Sequence, residues 1–237
     1  MKIFAVSDMH GMLDGLDPSG MDIVVVAGDF SKMNGFSKWH LYDQKKWIEK
    51  NFFAWTSKYP ETEFIVVPGN HDLCLDPGRT MNFKDFRLDI QWPKNVHMLI
   101  DREVVVKGLK FYGMPWVPII SYRWAFEADK DKIASKCSLI PNDVDVLVTH
   151  APPHWFDDKP IDHSTQFGMS EAFGSSALTD EILDKQPKFA FCGHIHTGYH
   201  DEVRLGDTSC FNVSRVDEQY EISYEPRIVE VEVGECK

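Results

Sequence analysis

The sequence predicts an α/β protein built on a mixed β-sheet, and three observations lead there. Short apolar, largely β-branched runs recur at strand length, and the second and third are separated by a stretch with helical periodicity. Three later runs follow one another at hairpin spacing, which adds an antiparallel portion. Five of the runs stop at Asp, Asn or His. Chemistry in α/β proteins tends to sit there, on loops past the carboxyl ends of strands.

In chain order, residues 2–6 predict a strand ending at Ser7-Asp8-Met9-His10-Gly11, and residues 22–27 a second ending at Gly28-Asp29. Apolar throughout, both suit central strands covered on two faces. Between 39 and 59, Leu41, Ile48, Phe52, Trp55 and Tyr59 follow helical spacing while Lys45, Lys46, Glu49 and Lys50 fall between them. That is an amphipathic helix packing on the sheet. Residues 64–67 return as a third strand, which ends at Pro68-Gly69-Asn70-His71-Asp72. Strand, helix, strand is a crossover and implies parallel neighbours.

Residues 77–93 read as a loop with one helical turn, since Gly, Pro and Arg break any period. Residues 96–99, 103–106 and 110–112 are short strands joined by Asp101-Arg102 and Lys107-Gly108, hence antiparallel hairpins. A charged helix is expected over 125–136 and a buried strand over 144–148, ending at Thr149-His150. Residues 152–174 form a long polar and aromatic loop, expected to wall an active site. A short helix at 177–185 and a strand at 188–192 lead to Gly193-His194-Ile195-His196. Three more strands are expected near 202–205, 210–213 and 228–233.

At 237 residues, with 43% hydrophobic content and no linker or repeat, the expectation is one domain over residues 1–237. A net charge of −12 argues against a nucleic-acid polymer as partner, because phosphate backbones need Lys and Arg. A small phosphoester is still admissible if metal ions supply positive charge locally. The first residues turn acidic too early for a signal peptide, and no run reaches membrane-spanning length. Five cysteines without a C-x-x-C pair read as reduced thiols, so a cytoplasmic protein without membrane contact is expected.

The residues that follow the buried runs are Asp8 and His10, Asp29, Asn70 and His71, His150, and His194 and His196. Each fragment has a plain alternative: Asp8 can cap a turn, and His150 can be a satisfied histidine at a loop start. His194 and His196 fall on one side if their segment stays extended. Together, Asp, Asn and His suit borderline divalent ions such as manganese, iron or zinc. Setting His71 aside, seven donors exceed one ion's needs. They suit two ions about 3.5–4 Å apart that share a carboxylate.

The series Asp8-x-His10, Gly28-Asp29, Gly69-Asn70-His71-Asp72, His150 and Gly193-His194-x-His196 resembles the calcineurin-like metallophosphoesterases along the whole chain. Gly113-Met114-Pro115-Trp116-Val117-Pro118, Trp124-Ala125-Phe126, the stretch 147–153 and Gly193–Tyr199 resemble the small branch of metallophosphoesterase-domain-containing, cyclic-nucleotide-type phosphodiesterases. The resemblance implies two mixed β-sheets packed as a sandwich and flanked by helices. It also implies one metal on Asp8, His10 and His196, a second on Asn70, His150 and His194, and Asp29 bridging. Many members carry an Arg soon after Gly-Asp. Here the stretch is Phe30-Ser31-Lys32-Met33-Asn34-Gly35, so no phosphate-binding Arg is expected at that place.

The expected activity is a metal-dependent hydrolase that cleaves a phosphoester, with a small nucleotide-like phosphodiester favoured. A bridging hydroxide would attack phosphorus in line. His71, next to Asn70 but off the metals, is the candidate general acid, and Asp72 either orients it or holds an Asx turn. Trp116, Trp124, Trp155 and Tyr199 either stack on a nucleobase or pack as walls. Arg123 and Arg215 either neutralise phosphate or are ordinary surface cations. The alternatives are a phosphomonoesterase acting on a metabolite or protein, and a non-catalytic nucleotide- or protein-binding member of the fold.

Overall fold

Alternation along the first strands sets the layering of the molecule. The computed structural model describes residues 1–81, 89–154, 174–197 and 199–232. In β1 (Lys2–Val6), Ile3 and Ala5 join one apolar cluster while Phe4 and Val6 join another. β2 (Ile23–Ala27) and β3 (Glu63–Val67) divide the same way, Ile23, Val25, Ala27, Ile65 and Val67 going with Ile3. Side chains leave a strand on alternate faces, so runs that are apolar throughout must be covered twice. With β4 (Val96–Met98) parallel to β3, and the antiparallel β13 (Arg227–Glu230) beside β1, these strands form a sheet ordered β13-β1-β2-β3-β4.

A second sheet covers one of its faces. It runs β11 (Val203–Leu205), β12 (Thr208–Asn212), β10 (Phe189–Cys192), β9 (Val146–Thr149), β6 (Leu109–Met114), β5 (Arg102–Val106). Val106, Phe111, Val146, Val148, Phe191 and Phe211 meet Ile3, Ile23, Val25 and Ile65 between the sheets. Burying each such side chain stabilises by roughly 1.5–3 kcal/mol, so this layer holds the sandwich together. Helix α1 (Lys38–Trp47) begins at the Ser37 cap, continues through a π-helical turn (Ile48–Phe52) and ends in α2 (Phe53–Thr56). Its Leu41, Ile48, Phe52 and Trp55 cover the outer face of the first sheet. A single turn, α3 (Pro77–Thr80), follows. Then α4 (Lys130–Cys137) and α5 (Ser176–Lys185) supply Ile133, Leu178 and Ile182 to the outer face of the second sheet. The order of layers is therefore helix, sheet, sheet, helix: a mixed α/β sandwich.

Two local expectations are corrected. The strands near 96–99 and 103–106 are not a hairpin: β4 pairs in parallel with β3, and β5 belongs to the other sheet. Asp101, at φ +50°, turns the chain across, and its carboxylate accepts from Trp116 and Lys136. The hairpin at Lys107-Gly108 is present, with both residues at positive φ as a two-residue turn requires. The helix expected from 125 starts at Lys130. Phe126 sits at φ +55°, which no helix accepts, and Asp129 caps the first turn through the amide of Lys132. Residues before it instead form a small parallel pair, β7 (Val117–Pro118) with β8 (Glu127–Ala128). The expected loop 152–174 lies mostly outside the described residues, as do Trp155, residue 233 and Cys236.

Candidate metal centre

The two sheets are stitched together at the carboxyl ends of their strands. Ser7, just past β1, bridges in parallel to Ser214, just past β12, through its amide to Val213 O (2.8 Å) and the Arg215 amide to its own carbonyl (3.0 Å). The loops above are laced by backbone: Asp8 N to Gly28 O (3.0 Å), His10 N to Asp29 O (2.9 Å), Gly193 N to His150 O (3.0 Å). Five loops that are distant in sequence thus converge, and their polar side chains meet.

His10 Nε2 faces His196 Nε2 at 3.4 Å, and His196 Nε2 lies 3.4 Å from Asp8 Oδ1. On the other side, His150 Nε2 lies 2.9 Å from Asn70 Oδ1 and 3.2 Å from Asp29 Oδ2. The His194 ring is 5.0 Å from that of His150. The donor atoms of Asp8, His10 and His196 lie within 4.8 Å of one another, as do those of Asp8, Asp29 and His150 and those of His10, Asp29 and His71. All seven proposed donors and His71 stand around one place. The His194–His196 segment is not extended, however: His194 is at φ +71° and Ile195 N bonds Gly193 O, so a turn brings both imidazoles in.

These side chains are held by others. His150 Nδ1 donates to Ala27 O (2.9 Å) and His196 Nδ1 to Asp217 O (3.0 Å), which turns each Nε2 inward, where it becomes a metal donor on losing its proton. Asp8 Oδ2 accepts from Ser214 Oγ (2.7 Å) and the His194 amide (3.0 Å), and Asp29 Oδ1 from the His71 amide (2.7 Å). Asp8 (φ +53°), His10 (+43°), Asp29 (+50°) and His194 (+71°) all occupy the left-handed region, a strained conformation that tends to cluster at functional sites. Gly28 and Gly193 admit close approach: a Cβ on the first would fall 2.1 Å from His150 Nδ1, and on the second 2.0 Å from Ser7 Oγ.

Charge is arranged around the same point. Burial presses the Asp8 and Asp29 carboxyls upward, but the surrounding imidazoles, His196 for Asp8 and His150 for Asp29, hold both well below the usual carboxylate range. Burial lowers His10 to about 4 and, with His150 beside it, His194 to about 3. Burial also opposes a proton on His150, yet Asp29 outweighs it and raises this residue to about 9. Against its burial, His196 is likewise drawn upward by Asp8. The cluster therefore sets two buried carboxylates against His150 and His196, which are drawn toward the charged form, while His10 and His194 are held neutral.

The residues fit a divalent cation. Asp8 Oδ1 is fully buried without a hydrogen bond, an orphan acceptor that a cation would satisfy. Imidazole, carboxylate and amide oxygen form a donor set suited to manganese, iron or zinc. A cavity of about 310 Å³ opens over the cluster, lined by Asp29, Asn70, His71, His194 and His196 with Ile120, Trp124, Thr197, Glu218 and Tyr220 in its walls.

The other residues singled out in the sequence divide. Trp124 lines the cavity, stacked on His71 with ring centroids 4.3 Å apart. Trp116 does not: its indole donates to Asp101 and its ring lies under Lys132. Tyr199 packs against the outer cluster of the second sheet. Arg215 donates to the carbonyls of Met12 and Asp14, and Arg123 covers the Phe36 ring; neither lines the cavity. Asp72 is buried and accepts from the Ser31 amide (3.0 Å) and hydroxyl (2.5 Å) and from the Gly69 amide (2.8 Å), so it braces the loop. Burial and the Asp29 charge push it up to about 7.

Sequence reading missed Gln44, which donates to His71 O (2.7 Å) and accepts from the Cys74 amide (2.8 Å). The signal was there: an amide three residues after Leu41 and four before Ile48, on the apolar stripe of α1. It also missed Ser214, Asp217, Glu218 and Tyr220, which no local pattern marks.

The family model described as calcineurin-like phosphoesterase matches residues 1–198. Human metallophosphoesterase domain-containing protein 1 is 29% identical over 97% of this chain and 71% of its own length. The UPF0046 protein K07C11.7 of Caenorhabditis elegans is 26% identical over 95% of this chain and 73% of its own. Among solved structures, TT1561 of Thermus thermophilus superposes with a TM-score of 0.59 at 14% identity, over 89% of this chain and 88% of that one. The phosphopantetheinyl hydrolase PptH of Mycobacterium tuberculosis gives 0.54 at 15% identity, over 96% and 95%. Those two share the fold.

Proposed function

This chain belongs to the calcineurin-like phosphoesterase family, which points to metal-dependent phosphoester hydrolysis, and we propose that it cleaves a phosphodiester of a small, nucleotide-like substrate. The observation that carries the reading is a cluster of oxygen and imidazole donors at one cavity, which Asp29, Asn70, His194 and His196 line and against which Asp8, His10 and His150 are grouped, with a buried orphan oxygen on Asp8. Asp8, His10 and His196 would hold one divalent ion, Asn70, His150 and His194 a second, and Asp29 would serve both. Such ions, when bound, neutralise phosphoryl oxygens and make water a nucleophile near neutral pH.

The chain's own groups do the rest. Ala27 O and Asp217 O fix the outward nitrogens of His150 and His196, so their inward nitrogens stay available. His71 lines the cavity without a place in either ligand set, and it gives its proton to the departing alkoxide or phenoxide. Ile120, Trp124 and Tyr220 offer apolar wall to the esterified group.

A diester is favoured over a monoester by charge. No Lys or Arg is among the described residues that line the cavity, and a dianionic monoester needs more compensating cation than a monoanionic diester. The net charge of −12 likewise favours a small substrate over a nucleic-acid polymer.

Turnover of bis(p-nitrophenyl) phosphate against p-nitrophenyl phosphate, with manganese supplied, tests this. The expected result is a higher kcat/KM for the diester. The opposite preference makes the protein a monoesterase, and stoichiometric metal without turnover of either makes it a binding member of the fold.

A further inference from the structure

One carboxylate outside the metal cluster organises a whole wall of the cavity. Glu127, at the start of β8, accepts four backbone N–H groups from the preceding loop: Ile120 (2.6 Å), Ser121 (2.7 Å) and Tyr122 (3.1 Å) on Oε1, and Trp124 (2.8 Å) on Oε2. The loop it gathers is otherwise exposed, and Tyr122 lies in it at φ +59°. Charge-assisted bonds of this kind are about twice as strong as neutral ones, and four on one side chain make the loop a rigid body. Two further bonds seat that body on the site. The Ala125 amide donates to Asn70 O (3.0 Å), and the Phe126 amide to Asp76 Oδ2 (3.1 Å).

What the loop presents is Trp124. Its indole lies against the His71 imidazole at 4.3 Å and 28° between planes, and its edge meets Phe36 at 5.1 Å. The His71 ring also meets that of His10 edge-on, with centroids 4.7 Å apart. The nearest carboxylate oxygen to His71 Nε2, Asp29 Oδ2, is 3.9 Å away, beyond hydrogen-bond reach. Ring packing thus aims this imidazole.

We infer that Glu127 and Trp124 are positioning residues for proton transfer: Glu127 sets the loop, the loop sets Trp124, and Trp124 holds His71 at the angle from which it reaches the leaving oxygen. This rests on the reading of His71 as general acid. It adds a role for two residues outside any ligand set, and it commits one face of Trp124 to His71.

The test has two arms. In metal-free protein labelled at histidine, the His71 ring protons carry a ring-current shift from the stacked indole. Trp124→Ala should abolish that shift, Glu127→Gln should abolish it with the indole still present, and Trp124→Phe should retain part. In metal-loaded protein, kcat is measured over phosphodiesters whose leaving groups run from p-nitrophenol to phenol to an aliphatic alcohol. Trp124→Ala and Glu127→Gln should lower kcat about tenfold for the alcohol and less than about threefold for p-nitrophenol, with KM little changed. Trp124→Phe should restore most of it. Combining Trp124→Ala with His71→Ala should be no slower than His71→Ala alone.

Unchanged His71 signals in Glu127→Gln overturn the inference, as do losses equal across leaving groups or additive with His71→Ala. A His71→Ala enzyme indifferent to the leaving group overturns the acid reading itself, and the positioning roles with it. If Glu127→Gln does not fold, the Trp124 pair carries both arms.

Discussion

His71 and its neighbour Asn70 show how one turn can serve two tasks. Asn70 is buried with its oxygen toward His150, while His71 is partly exposed to the cavity and hydrogen-bonded to Asp29 through its backbone amide, its ring nitrogen standing 3.9 Å from that carboxylate. Replacing His71 by Ala should therefore leave metal content unchanged while lowering kcat about 100-fold for esters with poor leaving groups. Metal analysis beside turnover of an alkyl and a p-nitrophenyl diester checks this; loss of metal would make His71 a ligand instead. Gly28 is the complementary case, a residue that acts by lacking a side chain. At φ +99°, with the His150 ring where its Cβ would go, Gly28→Ala must push that ring off Ala27 O and away from Asn70. The expected outcome is a folded protein destabilised by about 2 kcal/mol or more, with weakened metal binding, read from thermal melts with and without manganese.

At the scale of elements, the site is a set of strand exits held level by two stitches, Ser7 to Ser214 between the sheets and Gln44 from α1 to the His71 loop. The strands and the donors were legible in the sequence because both signals are local. An apolar run gives the strand, and the polar residue that ends it gives the donor. What was not legible acts across distance or through backbone. Glu127 looks like any acidic residue in a helical stretch until four amides are seen to converge on it. The Asp217 carbonyl that sets the His196 tautomer has no side-chain signature at all. Hairpin spacing misled at Asp101, because a short turn between two short strands looks the same whether the strands pair or part. Trp116 sits in a distinctive run of sequence yet faces Asp101 and two lysines, so a conspicuous motif was not a cavity residue.

For the whole molecule, the acidic balance and the buried cluster are linked through protons. In the metal-free state the His150 proton stands in for a cation between carboxylates. Its pKa is raised from 6.5 to about 9 in the folded chain, so the stability it contributes is complete below pH 6.5 and is lost as pH rises through 9. Asp72, raised from 3.8 to about 7, acts in the same sense at lower pH: its burial costs more as the carboxyl ionises, a loss complete near pH 7. The melting temperature of the metal-free protein should therefore fall between pH 6.5 and 9, and loading with manganese should remove most of that fall. A rise over that range without metal would show that His150 is not held protonated by Asp29. Among the described residues, no helix is long and apolar enough to cross a membrane. The sandwich instead spends its apolar surface between two sheets and under its helices.

The measurement that reaches the centre of this account is an anomalous-difference map from crystals grown with manganese. Two peaks are expected, one touching Asp8, His10 and His196, the other Asn70, His150 and His194, with Asp29 against both and His71 against neither. Peaks lying elsewhere, or a single ion taking His71 as a ligand, would contradict it.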